Sequence, residues 1–384
     1  MMMFLSDTHL PQLLPVEAYC DEKWYAKEVS DVLLPGWHAV ATTNQFPKNG
    51  SFITFDLFGH PLILRRERHE IHGFLNICPH RFSKLSTEQS GCKTTFKCGY
   101  HGWEFDECSG HTRRIPDAPS FRPLKKGQFG LEKVKVKTVG GLVFVSLSEK
   151  KSGSNQAFSE AIAEFEKMLN ARGFLGQQEF SLPVNWKVAV ENTLESYHVA
   201  EVHPNTFGKA PEEQDCRHEI ASDSTRFSAS GDNRFLVSSV ESLLLSKLGH
   251  ARSGKYEHIH HHPTFTLART DCFSIAISFL PNSSRTTRVF VSWFAQQTAK
   301  GCNYANWMLR RWGAIQSRFW LKVVREDARA VIGVQSGIDG ANRSGGESDN
   351  RGLISIREER IFHFQKWLVD QIGYVKTNDY IGSA

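Results

Sequence analysis

The period of hydrophobic and polar positions changes along this chain, and the changes mark out its regions. Residues 16–34 carry a helical pattern that stops at Pro35-Gly36, which predicts a helix-rich leader over 1–36. Over 37–148 the pattern turns to short alternating runs rich in β-branched and aromatic residues, at 51–57, 61–65, 134–137 and 141–147. Turn signals such as Asn49-Gly50 and Phe58-Gly59 separate these runs, so the region reads as a small antiparallel β domain. The polar run 149–156 reads as a linker.

From 157 to 384 both periods occur. Phe158, Ile162, Phe165 and Leu169 recur at helical spacing within 157–171, and 185–202 reads as a second helix. Strands are expected across 256–298, among them 264–268, 273–279 and 287–293. A long helix over about 304–333, a Gly/Ser/Asn-rich loop at 337–352 and a last amphipathic helix over 357–372 complete the chain. The fold class is α+β, an all-β domain followed by a larger domain of antiparallel sheet and helices.

Composition narrows the function. A length of 384 residues allows two domains with ample cores. The net charge of +5, from 46 basic and 41 acidic residues, is too mild to imply nucleic acid. Eight cysteines in a chain this long do not form a disulfide scaffold. The N-terminal stretch lacks a secretory pattern, and the most apolar run, 139–147, is too short for a bilayer, so a cytoplasmic protein without a membrane segment is expected.

Against that ordinary background two pairs stand out, Cys78-Pro79-His80 and Cys98-Gly99-Tyr100-His101. Each offers one thiolate and one imidazole on a loop between predicted strands. A Rieske [2Fe–2S] cluster needs this mixed set, two sulfurs on one iron and two histidine nitrogens on the other, which raises its potential. A structural zinc site can also be built from four such ligands, although its usual order groups the cysteines before the histidines. Cys92 and Cys108 flank the pairs without partners at ligand spacing.

With Asn185-Trp186-Lys187 and Glu195-Ser196-Tyr197-His198 added, the chain resembles the alpha (terminal oxygenase) subunits of Rieske non-haem iron oxygenases, of the ring-hydroxylating dioxygenase or choline-monooxygenase-like type. The resemblance covers roughly residues 20–370. It departs at Phe82, where the family usually has glycine. Ser83 and Tyr100 stand where respiratory Rieske proteins carry a disulfide pair, which argues against a membrane-complex subunit. The resemblance implies that Cys78, His80, Cys98 and His101 hold the cluster, that the all-β Rieske domain is inserted near the start of the larger catalytic domain, and that the leader packs on that catalytic domain.

A mononuclear oxygenase iron takes two histidines and one carboxylate on one face. His198 and His203 supply the imidazoles, and their spacing of five requires the helix to end or distort before His203, as Pro204 suggests. Glu195, three residues before His198, shares its neighbourhood on a helix; Glu191 and Glu201 are its rivals. The resemblance carries the third ligand onto Asp327, with Glu326 as runner-up, in the run Arg325-Glu326-Asp327 that precedes Gln335. It also implies that Glu195 links this iron to a neighbouring subunit's cluster histidine, and that Asn192 lines the site; a buried asparagine serving only packing is the other reading. The tract Glu257 to His262, the densest in histidine, reads as a strand and not as a metal site.

The implied activity is that of a terminal oxygenase, which inserts oxygen from O2 into a small organic substrate by hydroxylation, dihydroxylation or oxidative demethylation. Its electrons would come from a separate NAD(P)H-dependent reductase, directly or through a ferredoxin, since the chain has neither a Gly-rich dinucleotide loop nor a plant-type four-cysteine run. A homotrimer is implied. A reading from another class is a Rieske electron carrier with a degenerate second domain, which would bind about two irons per chain where the oxygenase binds about three.

Overall fold

The computed structural model describes residues 5–125, 127–147, 154–170, 172–207, 209–230, 235–246, 251–297, 303–344 and 352–374. The chain divides into two compact units, one spanning Leu34–Phe158 and the other combining the segment up to Leu33 with everything from Ser159 on.

The leader contains β1 (Leu10–Pro11), a 3-10 turn at Val16–Tyr19 and α1 (Glu22–Glu28), which runs into a π-helical turn over Val29–Leu33. Asp21 starts α1 by accepting from the Lys23 amide, one of the donors a helix N-terminus leaves open. Glu28 at the end of α1 is fully buried.

The smaller unit holds β2 (His38–Thr42), β3 (Ser51–Leu57), β4 (His60–Glu67), β5 (Glu70–Leu75), β6 (Ser90–Cys92), β7 (Phe96–Lys97), β8 (Glu104–Phe105), β9 (Thr112–Arg114), β10 (Lys133–Val139) and β11 (Leu142–Ser146). Seven strands form one sheet in the order β2-β11-β10-β5-β4-β3-β6, and β7-β8-β9 form a second. Phe58 and Gly59 both have positive φ, as the tight hairpin between β3 and β4 requires. Phe52, Ile63 and Phe74 from the large sheet pack with Phe96, Phe105 and Trp103 around the small one. That apolar body supports the loops after β5 and β7, where the Cys-His pairs lie.

Helix α2 (Ser154–Leu169) carries the chain out of the smaller unit, which ends at Phe158, so the expected linker is already helical at 154–156, while 149–153 lie outside the described residues. An antiparallel sheet in the order β12-β18-β17-β16-β15-β14-β13 is built from β12 (Arg172–Leu182), β13 (Cys216–Ile220), β14 (Ser224–Ser230), β15 (Lys255–His261), β16 (Phe265–Arg269), β17 (Phe273–Ser283) and β18 (Thr286–Gln296). Around it lie α3 (Trp186–Thr193), α4 (Val199–Val202), α5 (Phe235–Ser246), α6 (Asn303–Arg343) and α7 (Glu359–Ile372), with β19 (Leu353–Ile354) pairing β1.

Two expectations need correction. The helix expected over 185–202 is interrupted: α3 stops at Thr193 and α4 starts at Val199. The expected loop at 337–352 is helical as far as Arg343, and 345–351 lie outside the described residues. Gly337 and Gly340 face open space, so they weaken the helix without obstructing it. Packing of Ile338 against the core and the hydrogen bond from Cys20 Sγ to Asp339 hold this last part in place.

Candidate active site

The two cysteine-histidine loops share one backbone plan. The Phe82 amide donates to Cys78 O and the Cys78 amide to Ser83 O; Gly102 to Cys98 O and Cys98 to Trp103 O repeat both bonds. The fifth position of each loop has positive φ, 59° at Phe82 and 70° at Gly102. Phe82 therefore keeps the conformation that glycine supplies freely, with its ring 79% exposed. The departure at this position leaves the loop shape unchanged.

Cys78 and Cys98 are buried and face each other. Burial pushes the Cys78 thiol up to about 11, and the backbone N–H groups of His80 and Arg81 act in the opposite direction. Sulfur facing amide donors is the arrangement that tunes a cluster. The His80 and His101 rings lie 4.5 Å apart, and His80 stacks on Trp103 at 4.9 Å. His80 Nδ1 is buried with no hydrogen-bond partner. Burial, His101 and Arg81 lower its pKa, which favours the neutral, ligand-ready imidazole.

These four donors do not converge on one point. Tetrahedral zinc would hold its ligand atoms roughly 3.4–3.8 Å apart. Among the described residues, the only group of three with ligand atoms all within 4.8 Å of one another is His198, His203 and Asp327. The loops therefore suit a two-iron cluster with sulfur at one end and nitrogen at the other, and not a single ion.

The local chain course explains how His198 and His203 meet. Asn185 caps α3 by accepting from the Lys187 amide, while its own amide donates to Gln335 Oε1 at 2.9 Å. Gln335 lies on α6, so this bond ties together the two helices that bring the site residues near one another. After α3, the Glu195 carboxylate accepts from the Tyr197 and His198 amides, which would otherwise extend the helix. Glu195 thus sits in a turn, contrary to its expected helical position, and it also contacts His198 Nδ1. Its side chain is only 8% exposed, which excludes a solvated helix charge. His198 precedes α4 and His203 follows it, so one short turn of helix brings both rings to the same side.

Asp327 on α6 completes the group. Its Oδ1 lies 3.0 Å from His203 Nε2 and 3.4 Å from His198 Nε2, yet it is buried and off the hydrogen-bonding directions. Burial opposes charge on all three groups, but Asp327 and Glu195 lift His198 to about 10 and the imidazoles hold Asp327 below the ordinary carboxylate range. Glu326 points elsewhere: it accepts from His203 Nδ1 at 2.7 Å and from Thr206 Oγ1 at 3.0 Å. The two adjacent acids thus address opposite sides of one ring. The donor set is the two-histidine, one-carboxylate type that suits Fe(II).

A cavity of about 260 Å³ opens onto this group, and Asn192, Tyr256, His258, Trp320 and Arg360 also line it. Of the histidine tract, only His258 reaches the cavity. Burial keeps His258, His260, His261 and His262 below the usual histidine range. Glu191, a rival to Glu195, is held by Tyr19 and Gln365 at 2.7 and 2.9 Å, and burial raises it to about 7. Sequence reasoning missed Glu326's contact with His203 and the buried pair of Lys187 with Glu28 at 2.6 Å. The sequence offered Glu326 only as the runner-up ligand and gave Glu28 no role, since both contacts join residues far apart in the chain.

The Rieske [2Fe-2S] domain family matches residues 36–136, and the ring hydroxylating alpha subunit (catalytic domain) family matches residues 169–374. The second match covers more than half of the chain, which belongs to the ring-hydroxylating alpha subunit family. That family's cofactors are a Rieske [2Fe–2S] cluster and mononuclear Fe(II). The chain is 29% identical over 194 residues to a glycine betaine monooxygenase oxygenase subunit of Pseudomonas aeruginosa, spanning 50% of this chain and 44% of that protein. It is 30% identical over 202 residues to a benzene 1,2-dioxygenase subunit alpha of Pseudomonas putida, with the same shares covered. It spans about half the length of the curated relatives it matches. The fold matches a quaternary ammonium Rieske monooxygenase with a TM-score of 0.72 at 20% identity over 94% of both chains. It also matches naphthalene 1,2-dioxygenase with a TM-score of 0.70 at 16% identity, over 93% of this chain and 91% of that one. Among the described residues no helix is long and apolar enough to cross a membrane.

Proposed function

We propose that this protein is the terminal oxygenase component of a multicomponent system, inserting oxygen from O2 into a small organic substrate. The observation that carries this reading is the convergence of His198, His203 and Asp327 in the wall of a cavity. Cys78 and Cys98 would hold one cluster iron, His80 and His101 the other, and His198, His203 and Asp327 the mononuclear Fe(II). The bound cofactors supply single-electron transfer and O2 activation. The protein's own part is positioning. Glu326 fixes the His203 ring through Nδ1, so that Nε2 faces Asp327. Glu195 fixes the His198 ring in the same way from the other side. Asn192 and Trp320 form part of the cavity wall.

The reading extends to a homotrimer in the cytoplasm, supplied by an NAD(P)H-dependent reductase with or without a ferredoxin. Glu195 would lie at the subunit interface and serve the electron path. Its neighbour Tyr197 is 63% exposed, which supports an outward-facing turn there. Glutamate at 195 and the relatives named as monooxygenases favour single oxygen insertion over dihydroxylation. The electron-carrier reading is disfavoured because its second domain has no reason to gather three metal-type donors. The test is O2 uptake with NADH and a surrogate reductase across a substrate panel. His198→Ala/His203→Ala abolishes uptake and leaves the visible spectrum of the cluster intact; retained uptake contradicts the assignment.

A further inference from the structure

Among the described residues, Arg360 is the one buried charge in the cavity wall without a carboxylate partner. It rises from α7, is 1% exposed, and lines the same cavity as His198 and Asp327. Its Nε donates to Thr225 Oγ1 at 3.1 Å, and its Nη2 donates to Thr225 O at 3.4 Å and to His258 Nδ1 at 2.9 Å. Among the described residues its hydrogen bonds come from Nε and Nη2 alone, and no carboxylate pairs with it. A buried cation is ordinarily paired, because removing it from water is costly. Burial lowers the guanidinium only to about 9, so it stays charged at neutral pH.

Of the other charges along the cavity, Lys209 and Lys255 are exposed to water and the acids distant from the metal-type donors are engaged. Glu241 meets Arg252 and accepts from Trp312 Nε1 at 3.2 Å, while Asp271 accepts from the Ser253 and Gly254 amides. His258 adds a second donor: because Nδ1 accepts from Arg360, the ring proton sits on Nε2. Tyr256 lines the same cavity and stacks at 6.0 Å on Trp320 of α6, the helix that carries Asp327. One positive charge and two N–H donors answer one monoanion with two acceptor oxygens.

We propose that the substrate carries a carboxylate, seated on Arg360 Nη1 and His258 Nε2, which holds the rest of the molecule past Tyr256 toward His198, His203 and Asp327. This rests on reading the cavity as the substrate site of an oxygenase. Direct binding, measured without turnover, separates the two claims. Calorimetric titration of the iron-replete full chain uses benzoate, phenylacetate and hexanoate, each beside its neutral amide. At least one acid binds, with its amide roughly 30- to 1,000-fold weaker, and Arg360→Met weakens the acid by a similar factor. Arg360→Lys retains part of the affinity. Amides that bind as well as acids, no binding by any acid, or full acid affinity in Arg360→Met would each overturn the proposal. If Arg360→Met does not fold, the acid–amide comparison on the unaltered protein decides. An acid that binds without ever being oxidised counts against the oxygenase reading and leaves the anion seat standing.

Discussion

Replacing Glu326 by Gln keeps the shape of the side chain behind His203 and removes its charge. In the structure Glu326 Oε2 is 2.7 Å from His203 Nδ1, and both carboxylate oxygens lie 3.0 Å from Thr206 Oγ1. The variant exchanges a charge-assisted bond for a neutral one of about half the strength, and one end of the amide becomes a donor that faces the ring or the hydroxyl. His203 then loses part of what fixes its tautomer and orientation. Loss of such an outer contact weakens metal binding by about 10- to 100-fold, or roughly 1.4–2.7 kcal/mol. The assay is competition for Fe(II) between the protein and a chromophoric chelator, normalised to cluster absorbance. Glu326→Gln shifts the competition within that range, and Asp327→Asn shifts it further. If Glu326→Gln lost the iron completely while Asp327→Asn kept it, Glu326 would be the ligand and the placement of the two acids would be wrong.

Phe82→Gly relieves a left-handed backbone that costs about 1 kcal/mol for a residue with a side chain, so the cluster survives a higher temperature, read from its visible absorbance. An unchanged midpoint would mean that the loop carries no such strain. Glu28→Leu leaves the Lys187 ammonium buried and unpaired, also strips Trp186 Nε1 of its acceptor, and costs about 3–5 kcal/mol in urea unfolding, part of which Glu28→Leu/Lys187→Met restores. A double variant as unstable as the single one would refute the pairing argument. Burial lowers His261 to about 4 and holds His258, His260 and His262 well below 6.5, so all four are neutral in the fold and take up protons on unfolding. Their contribution to stability is present above pH 6.5 and is lost as pH falls toward about 4, at about 1.4 kcal/mol per pH unit for each. Urea midpoints that stay flat from pH 7 to 5 would contradict this.

Much of the fold shows in the sequence because the responsible signals are local. The β domain announces itself by alternation and by turn pairs such as Phe58-Gly59, whose positive φ values match the hairpin. The α7 helix and strands β15 to β18 follow patterns that short-range propensity also favours. Other features depend on distant partners. Strands β12 and β13 carry no clear period and are defined by their pairing, as in the long β12–β18 ladder. The break between α3 and α4 comes from one carboxylate, Glu195, capturing two amides, which helical spacing does not reveal. The donor types at His198, His203 and Asp327 are visible in the chain, but which acid faces the histidines' Nε2 atoms is decided by the rotation of α6. Arg360 reads as an ordinary charge on an amphipathic helix until α7 is seen to turn it toward the cavity.

The central claim is that His198, His203 and Asp327 hold a second metal centre, separate from the cluster. Iron per chain tests it most directly, measured alongside the electron paramagnetic resonance signal of the reduced cluster. The account predicts about three irons in the unaltered protein and about two in His198→Ala/His203→Ala, with the cluster signal unchanged. Two irons in both proteins, or three in both, would contradict it.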